Sequence, residues 1–199
     1  MAGSDVKVQA ISDEVAADDD FIVTAARPDT SATIANSSFA SGGARILNVT
    51  TTGTGDNGKT NTIVGTDVFG NALTEVITST GSAEAVAGSK YFKTITSVTS
   101  SAQFAANMKV GSTASAAQAV FGGRVRLRGY SIISGGTAGL ISFYDGTPES
   151  GTLLFSARTI GTDNTTVDNT IPDEGILFAS GMTMVYTVGT IDRMNIFYS

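Results

Sequence analysis

The sequence predicts an all-β protein, and two observations support this. Gly, Ser, Thr, Ala and Asn dominate outside the apolar residues, while long runs of the helix formers Leu, Glu, Lys and Arg are absent. Short stretches of alternating apolar and polar residues recur instead, separated by turns that contain Gly or Asn. Since 41% of the 199 residues are apolar and 15% are charged, the composition is that of a globular chain and not of a disordered one.

The first 20 residues are expected to form an N-terminal arm. Within it, Val6, Val8 and Ala10 alternate with polar residues, which indicates a short strand. An acidic cluster follows, made of Asp13, Glu14, Asp18, Asp19 and Asp20. The cluster fits two interpretations, an interaction arm or a solvated turn before the first strand of the fold.

Residues 21–112 are expected to form a first β-sandwich domain. The alternating pattern predicts strands at residues 21–26, 45–52, 61–67, 72–80, 91–100 and 107–112. Residues 27–43 contain Pro28 and many small polar residues, so they are expected to form a loop. The Asn57-Gly58 pair suits a hairpin turn because both residue types tolerate positive φ.

Residues 113–123 are small and uncharged, and they are expected to link the first domain to a second β-sandwich domain at residues 124–199. A short helix through Ala114–Val120 is an option, because four of these seven residues are Ala. In the second domain the pattern predicts strands at residues 124–134, 140–144, 152–160, 175–179, 182–188 and 193–198. The expected architecture is therefore two small sandwiches, Ig-like or jelly-roll-like, with an N-terminal arm.

Composition also restricts the chemistry. The chain has no Cys and no His, which excludes Ser-His and Cys-His catalysis and removes the commonest metal ligands. We therefore expect no enzyme activity, no cofactor and no metal. Two carboxylate groupings remain as alternatives: Asp145 with Glu149 as a weak hydrolase pair, and the acidic and amide residues of 163–174 as a calcium site.

Partners are restricted in the same way. A net charge of −6 argues against nucleic acid, because phosphate neutralisation needs Lys and Arg. The longest uncharged run, residues 175–191, contains Ser, Thr and several Gly, so it favours a strand pair over a membrane span. The residues after Met1 include no apolar stretch, so no secretory signal is expected.

Two stretches of the first half resemble a small β-sandwich module of tailed-bacteriophage virion proteins. They are Gly65-Thr-Asp-Val-Phe-Gly-Asn-Ala-Leu-Thr-Glu75 and Lys90-Tyr-Phe-Lys-Thr-Ile-Thr-Ser-Val98. The second half is similar to another phage structural module through Ile141-Ser-Phe-Tyr-Asp-Gly146 and Pro172-Asp-Glu-Gly-Ile-Leu-Phe178. The resemblance implies a virion component, either a capsid decoration (cement) protein or a head or tail appendage, and it transfers no catalytic residues. The leading hypothesis is a decoration protein on the outer capsid surface that bridges and stabilises major capsid subunits.

The implied partners are the major capsid protein and sister subunits, with a homotrimer expected. Arg124, Arg126 and Arg128 alternate with Val125 and Leu127, so the three guanidinium groups share one strand face. Together with the acidic cluster they are the candidate contacts, because paired charges fix register between subunits; an ordinary solvated strand face is the other interpretation. The alternative function is a head-fibre or tail receptor-binding protein that contacts host glycans through Tyr144 and Tyr198.

Overall fold

The computed structural model describes residues 5–199, and the prediction of an all-β protein is confirmed. Its elements are β1 (Lys7–Ser12), β2 (Asp18–Ala26), β3 (Ala44–Thr51), a 3-10 turn (Thr54–Asp56), β4 (Thr60–Thr66), β5 (Ala72–Thr78), β6 (Ala85–Phe92), β7 (Thr94–Ser100), β8 (Met108–Phe121), β9 (Val125–Ser134), β10 (Leu140–Asp145), β11 (Thr152–Arg158), β12 (Thr166–Thr170), β13 (Ile176–Phe178), β14 (Met182–Thr187) and β15 (Ile191–Tyr198).

The described residues divide into two compact units. One contains residues 5–15 and 115–199, and the other contains residues 16–114. Strand β8 contributes to both, with the division at Ser115. We refer to them as the terminal unit and the central unit.

The terminal unit is built from two antiparallel sheets that share one core. The first has the strand order β1-β15-β9-β12, with β13 also paired to β9. The second runs β11-β10-β14 and ends on the C-terminal part of β8. Alternate side chains of both sheets point into a common core, as in a β-sandwich; its largest fully buried members are Leu127, Ile132, Ile141, Phe143 and Phe178.

The central unit also combines two sheets around its own core. A three-stranded sheet has the order β5-β4-β7, while β6, β3, the N-terminal part of β8 and β2 form the second group. The fully buried side chains between them include Ile22, Leu47, Ile63, Phe92 and Phe104. The rings of Phe21 and Phe39 stack at the margin with centroids 5.3 Å apart.

Two predictions around residues 113–123 are wrong. Residues 113–121 lie in β8 and are not a linker loop, and Ala114–Val120 is not helical. The physical reason is pairing: Ser115–Phe121 pair with β14, with one register shift between Met182 and Thr183, and Ala116 and Ala117 are completely buried there. Tertiary contacts thus override the weak helix preference of Ala.

The N-terminal segment is part of the fold and not a free arm. Strand β1 pairs with β15 from Lys7↔Tyr198 to Ser12↔Arg193, so the short strand predicted around Val8 is confirmed. Strand β2 already begins at Asp18, inside the residues assigned to the arm. Residues 1–4 of the predicted arm lie outside the described residues.

Three local details differ from the prediction. Residues 91–100, expected as one strand, are divided between β6 and β7. Strand β12 was not predicted, because its residues Thr166–Thr170 are almost all polar. At the Asn57-Gly58 turn only Gly58 has positive φ (79°), whereas Asn57 is extended at φ −60° and ψ 131°, which is the geometry of a type II turn.

Candidate interaction surfaces

The three arginines at the start of β9 lie as the alternation predicts, on the side of the strand away from the core. Val125 and Leu127 are buried, Arg126 and Arg128 are half-buried, and Arg124 is exposed just before the strand. A shallow depression of about 220 Å³ beside them is lined by Arg124, Val125, Arg126, Leu177 and Ser199. The arginine surface, defined as Arg124, Arg126 and Arg128, therefore belongs to the terminal unit.

Only one of these arginines is paired within the described part of the chain. Arg126 Nη2 lies 3.0 Å from Glu174 Oε2, and its Nη1 donates to the carbonyls of Glu174 and Gly175 at 3.4 and 3.5 Å. Because the Glu174 side chain is 82% exposed, this pair is worth about 0–1 kcal/mol. Arg124 and Arg128 make no ion pair with any residue between 5 and 199, so their charges remain available to a partner.

Two of the predicted acidic contacts serve the fold of the terminal unit. Asp13 Oδ2 accepts a hydrogen bond from the Gly189 N–H at 2.8 Å, and its Oδ1 accepts one from the Glu14 N–H at 2.9 Å. Glu14 is only 5% exposed and accepts from Gln118 Nε2 at 2.7 Å. These carboxylates hold the end of β1 against the sandwich, so the acidic contact surface is reduced to Asp18, Asp19 and Asp20.

Asp18, Asp19 and Asp20 lie at the start of β2 in the central unit. Asp19 Oδ2 pairs with Lys109 Nζ at 2.8 Å, and this contact raises the pKa of the Lys109 ammonium. The pKa of Asp20 is raised, first by its hydrogen bond with the Asp18 carboxyl. Among the described residues, these three are the group whose carboxylate oxygens come within 4.8 Å of one another, close enough to share a divalent cation. Exposed acidic groups of this kind are also common without an ion.

Asp145 and Glu149, which were considered as a hydrolase pair, lie at the end of β10 and in the turn that follows it. Asp145 Oδ1 accepts from the Ser180 N–H at 2.6 Å, while Glu149 is exposed in the turn after β10. In the 163–174 region, Asn164 and Asp173 have positive φ (59° and 56°), a conformation that Asn and Asp tolerate in turns. Glu174 pairs with Arg126. Among the described residues, the Asp and Glu side chains of this region do not form a group close enough to share a cation.

Sequence reasoning missed a buried carboxylate in the central unit, Asp56. Its side chain is fully buried and accepts four hydrogen bonds, from Thr51 Oγ1 at 2.9 Å, Lys59 Nζ at 2.8 Å, Ala105 N at 2.5 Å and Ala106 N at 3.1 Å. Gly53 leaves the necessary room, because a Cβ there would lie 2.6 Å from Asp56 Oδ2. A single Asp beside a turn gave no sequence signal for this role.

Two further carboxylates, Asp67 and Glu75, stabilise the segment between β4 and β6. Asp67 Oδ1 accepts from the N–H groups of Phe69 and Asn71, both at 2.9 Å, which closes the turn between β4 and β5. Glu75 Oε1 accepts from the Ser89 N–H and hydroxyl at 2.6 and 2.9 Å and so ties β5 to β6. Asp67 and Glu75 therefore stabilise the local structure of this segment.

Compared with models of known protein families and with curated protein sequences, the chain matches none of them. No helix within residues 5–199 is both long enough and apolar enough to cross a lipid bilayer.

Proposed function

We propose that this chain is a structural virion protein of a tailed bacteriophage, a capsid decoration protein that bridges major capsid subunits on the outer surface of the shell. The observation that carries the proposal is the resemblance at residues 65–75 and 90–98. Its acidic residues Asp67 and Glu75 fix a turn and tie two strands together. A shell protein that bears internal pressure needs such stability and contact area, and it needs no active site.

The arginine surface supports attachment to an acidic partner. Arg124 and Arg128 carry charges with no carboxylate partner in the described chain, and each is accessible. Unlike charges across an interface speed encounter and set register, and they suppress wrong partners. We therefore propose the major capsid protein, or a sister subunit, as the acceptor of these two guanidinium groups, with the homotrimer as the expected assembly.

The glycan-binding alternative has weaker support. It would use the rings of Tyr144 and Tyr198, but both residues are only half exposed. The Tyr198 ring also packs against Phe121 with centroids 5.7 Å apart, so its face is partly occupied within the chain. The two roles also differ in expected copy number, since a head-fibre or tail protein would be present in only a few copies at one vertex.

The test is binding to particles that lack this protein, produced from the genome that encodes it. The double variant Arg124→Glu/Arg128→Glu is compared with the matched control Arg158→Glu/Arg193→Glu, which makes the same change in net charge at two other exposed arginines. We expect wild type and control to bind, and the test variant to bind roughly tenfold or more weakly at low salt. The difference should shrink at high salt, since exposed ionic contacts are screened.

Two results would contradict different parts of the proposal. If wild-type protein fails to bind particles at any salt concentration, the decoration role is wrong. If the test variant binds as tightly as wild type throughout, the particle contact lies elsewhere and the arginine surface is a solvated strand face.

A further inference from the structure

Asn57 and Gly58 form a pair that can react covalently without an enzyme. Asn57 is the only asparagine of the chain that is followed by glycine. In such a pair the backbone nitrogen of the glycine can attack the side-chain carbonyl carbon of the asparagine, because a residue without Cβ allows a close approach. Both residues are exposed to water, between the 3-10 turn and β4. The pair is therefore a candidate for spontaneous deamidation.

The folded turn keeps the two reacting atoms apart. Asn57 has φ −60° and ψ 131°. Closing a ring between Asn57 Cγ and the Gly58 nitrogen requires a ψ of roughly −120°, which lies outside the regions that a residue with Cβ occupies readily. The Gly58 N–H also donates a hydrogen bond to the Ser79 carbonyl at 2.9 Å. The attacking nitrogen must leave this hydrogen bond before it can react.

The segment after β5 holds the turn in this conformation. Besides the acceptor Ser79, it contains Gly81, which has φ 67°. A Cβ at Gly81 would lie 2.7 Å from the Asn57 nitrogen and 2.9 Å from Asn57 Cβ, so only glycine lets the two backbone segments pack this closely. Separation of the turn from residues 79–81 is therefore the motion that frees Asn57 and Gly58.

We propose that Asn57 is a latent deamidation site, which the folded turn protects and which reacts when the turn separates from residues 79–81. In the reaction the Gly58 nitrogen gives its proton to hydroxide and forms a bond to Asn57 Cγ. The bond between Cγ and Nδ2 breaks, and Nδ2 takes a proton from water and leaves as ammonia. Water then opens the resulting succinimide ring at either carbonyl, which leaves aspartate or isoaspartate at this position.

The isoaspartate product would disturb the neighbouring buried carboxylate. Isoaspartate continues the chain through its side chain, so it adds one backbone carbon between Asp56 and Lys59. The Lys59 ammonium donates to Asp56 Oδ1 at 2.8 Å across this short turn, and the added carbon shifts the two residues relative to each other. Aspartate at the same position adds the same charge without lengthening the backbone. This reactivity concerns the central unit alone and does not depend on the proposed virion role.

The first test follows deamidation of the full chain by peptide mass spectrometry at mildly alkaline pH, in buffer and in concentrated urea. Folded wild type should deamidate at Asn57 roughly tenfold or more slowly than the unfolded chain, because the reaction requires local opening. Equal rates in the two conditions, or no reaction of Asn57 in urea, would overturn the proposal.

A second test compares Gly81→Ala with the matched control Gly42→Ala in the same unit. Both glycines have positive φ, 67° and 75°, so the two substitutions introduce similar backbone strain. A Cβ at Gly42 would have nothing within 4 Å, whereas one at Gly81 would collide with Asn57. Gly81→Ala should speed deamidation of the folded chain roughly tenfold and raise hydrogen exchange of the Gly58 amide, and Gly42→Ala should leave both unchanged. No acceleration by Gly81→Ala, or equal acceleration by both substitutions, would contradict protection by residues 79–81.

A third measurement tests the effect on Asp56. The isoaspartate form of the chain, purified by ion exchange, should unfold at a lower urea concentration than Asn57→Asp, which carries the same charge on an unaltered backbone. Equal unfolding midpoints would show that the modification does not reach the buried carboxylate.

Discussion

Replacing Asp56 by Asn should destabilise the central unit by an amount that depends on pH. The carboxylate is fully buried and accepts hydrogen bonds from Lys59, Thr51 and two backbone N–H groups. Asn has nearly the same shape, but it lacks the charge and turns an NH₂ donor toward groups that are themselves donors. The substitution therefore imitates the protonated acid at this site.

The pKa of Asp56 sets the size of the expected loss of stability. Burial alone raises it, but the hydrogen bonds, led by that from Lys59, outweigh burial and lower the pKa from 3.8 to about 2. A difference of nearly two pKa units between the unfolded and folded chain corresponds to about 2 kcal/mol of stability from the ionised form. Since the folded-state pKa is depressed, this stability is fully present above pH 3.8 and is lost as the pH falls toward 2.

The assay is equilibrium urea unfolding at pH 7 and at pH 2.5, monitored through a signal that reports on the central unit. Asp56→Asn should lower the free energy of unfolding by about 2 kcal/mol at pH 7 and by clearly less at pH 2.5. The control, Asp29→Asn, removes an exposed charge in the same unit and should change stability by less than about 0.5 kcal/mol. A loss of the same size at both pH values, or no loss at pH 7, would refute the reasoning.

Further substitutions test other parts of the account. Gly88→Ala should lower the free energy of unfolding by about 1–3 kcal/mol in urea, because the new Cβ would lie 2.3 Å from Glu75 Oε2 and disrupt the hydrogen bonds of Glu75 to β6. Unchanged stability would show that these hydrogen bonds do not stabilise the fold. Asp145→Ala and Glu149→Ala should alter no hydrolysis of ester, peptide or glycoside substrates, since wild type should show none; activity abolished by either change would contradict the non-enzymatic role. Circular dichroism should be dominated by β-structure, and a strong helical signal would count against the fold.

Local patterns predicted the strands that have one clear apolar face. The alternation of Val125 and Leu127 with arginines identified β9, and the same reasoning identified β1 around Val8. In these segments the period-2 alternation shows which side chains face the core, so each strand could be predicted from its own residues alone.

Features that depend on a distant partner were missed. Residues 114–120 contain four Ala and were expected to lie in a linker, with a short helix as an option, because the pairing with β14 that makes them a strand leaves no local pattern. Glu14 resembled a surface acid, although it is buried and its carboxylate accepts a hydrogen bond from the side-chain amide of Gln118, which lies 104 residues further along the chain. The same holds for Asp56, whose donors at Ala105 and Ala106 lie about 50 residues along the chain.

The central claim is tested most directly by locating the chain in a density map of the intact virion produced by the genome that encodes it. We predict density for both units at symmetry-related positions over the whole outer surface of the shell, in hundreds of copies. Arg124 and Arg128 should lie against acidic residues of the major capsid protein or of a sister subunit. A few copies confined to one vertex would favour the fibre or tail role, and a particle that lacks the chain would contradict the account.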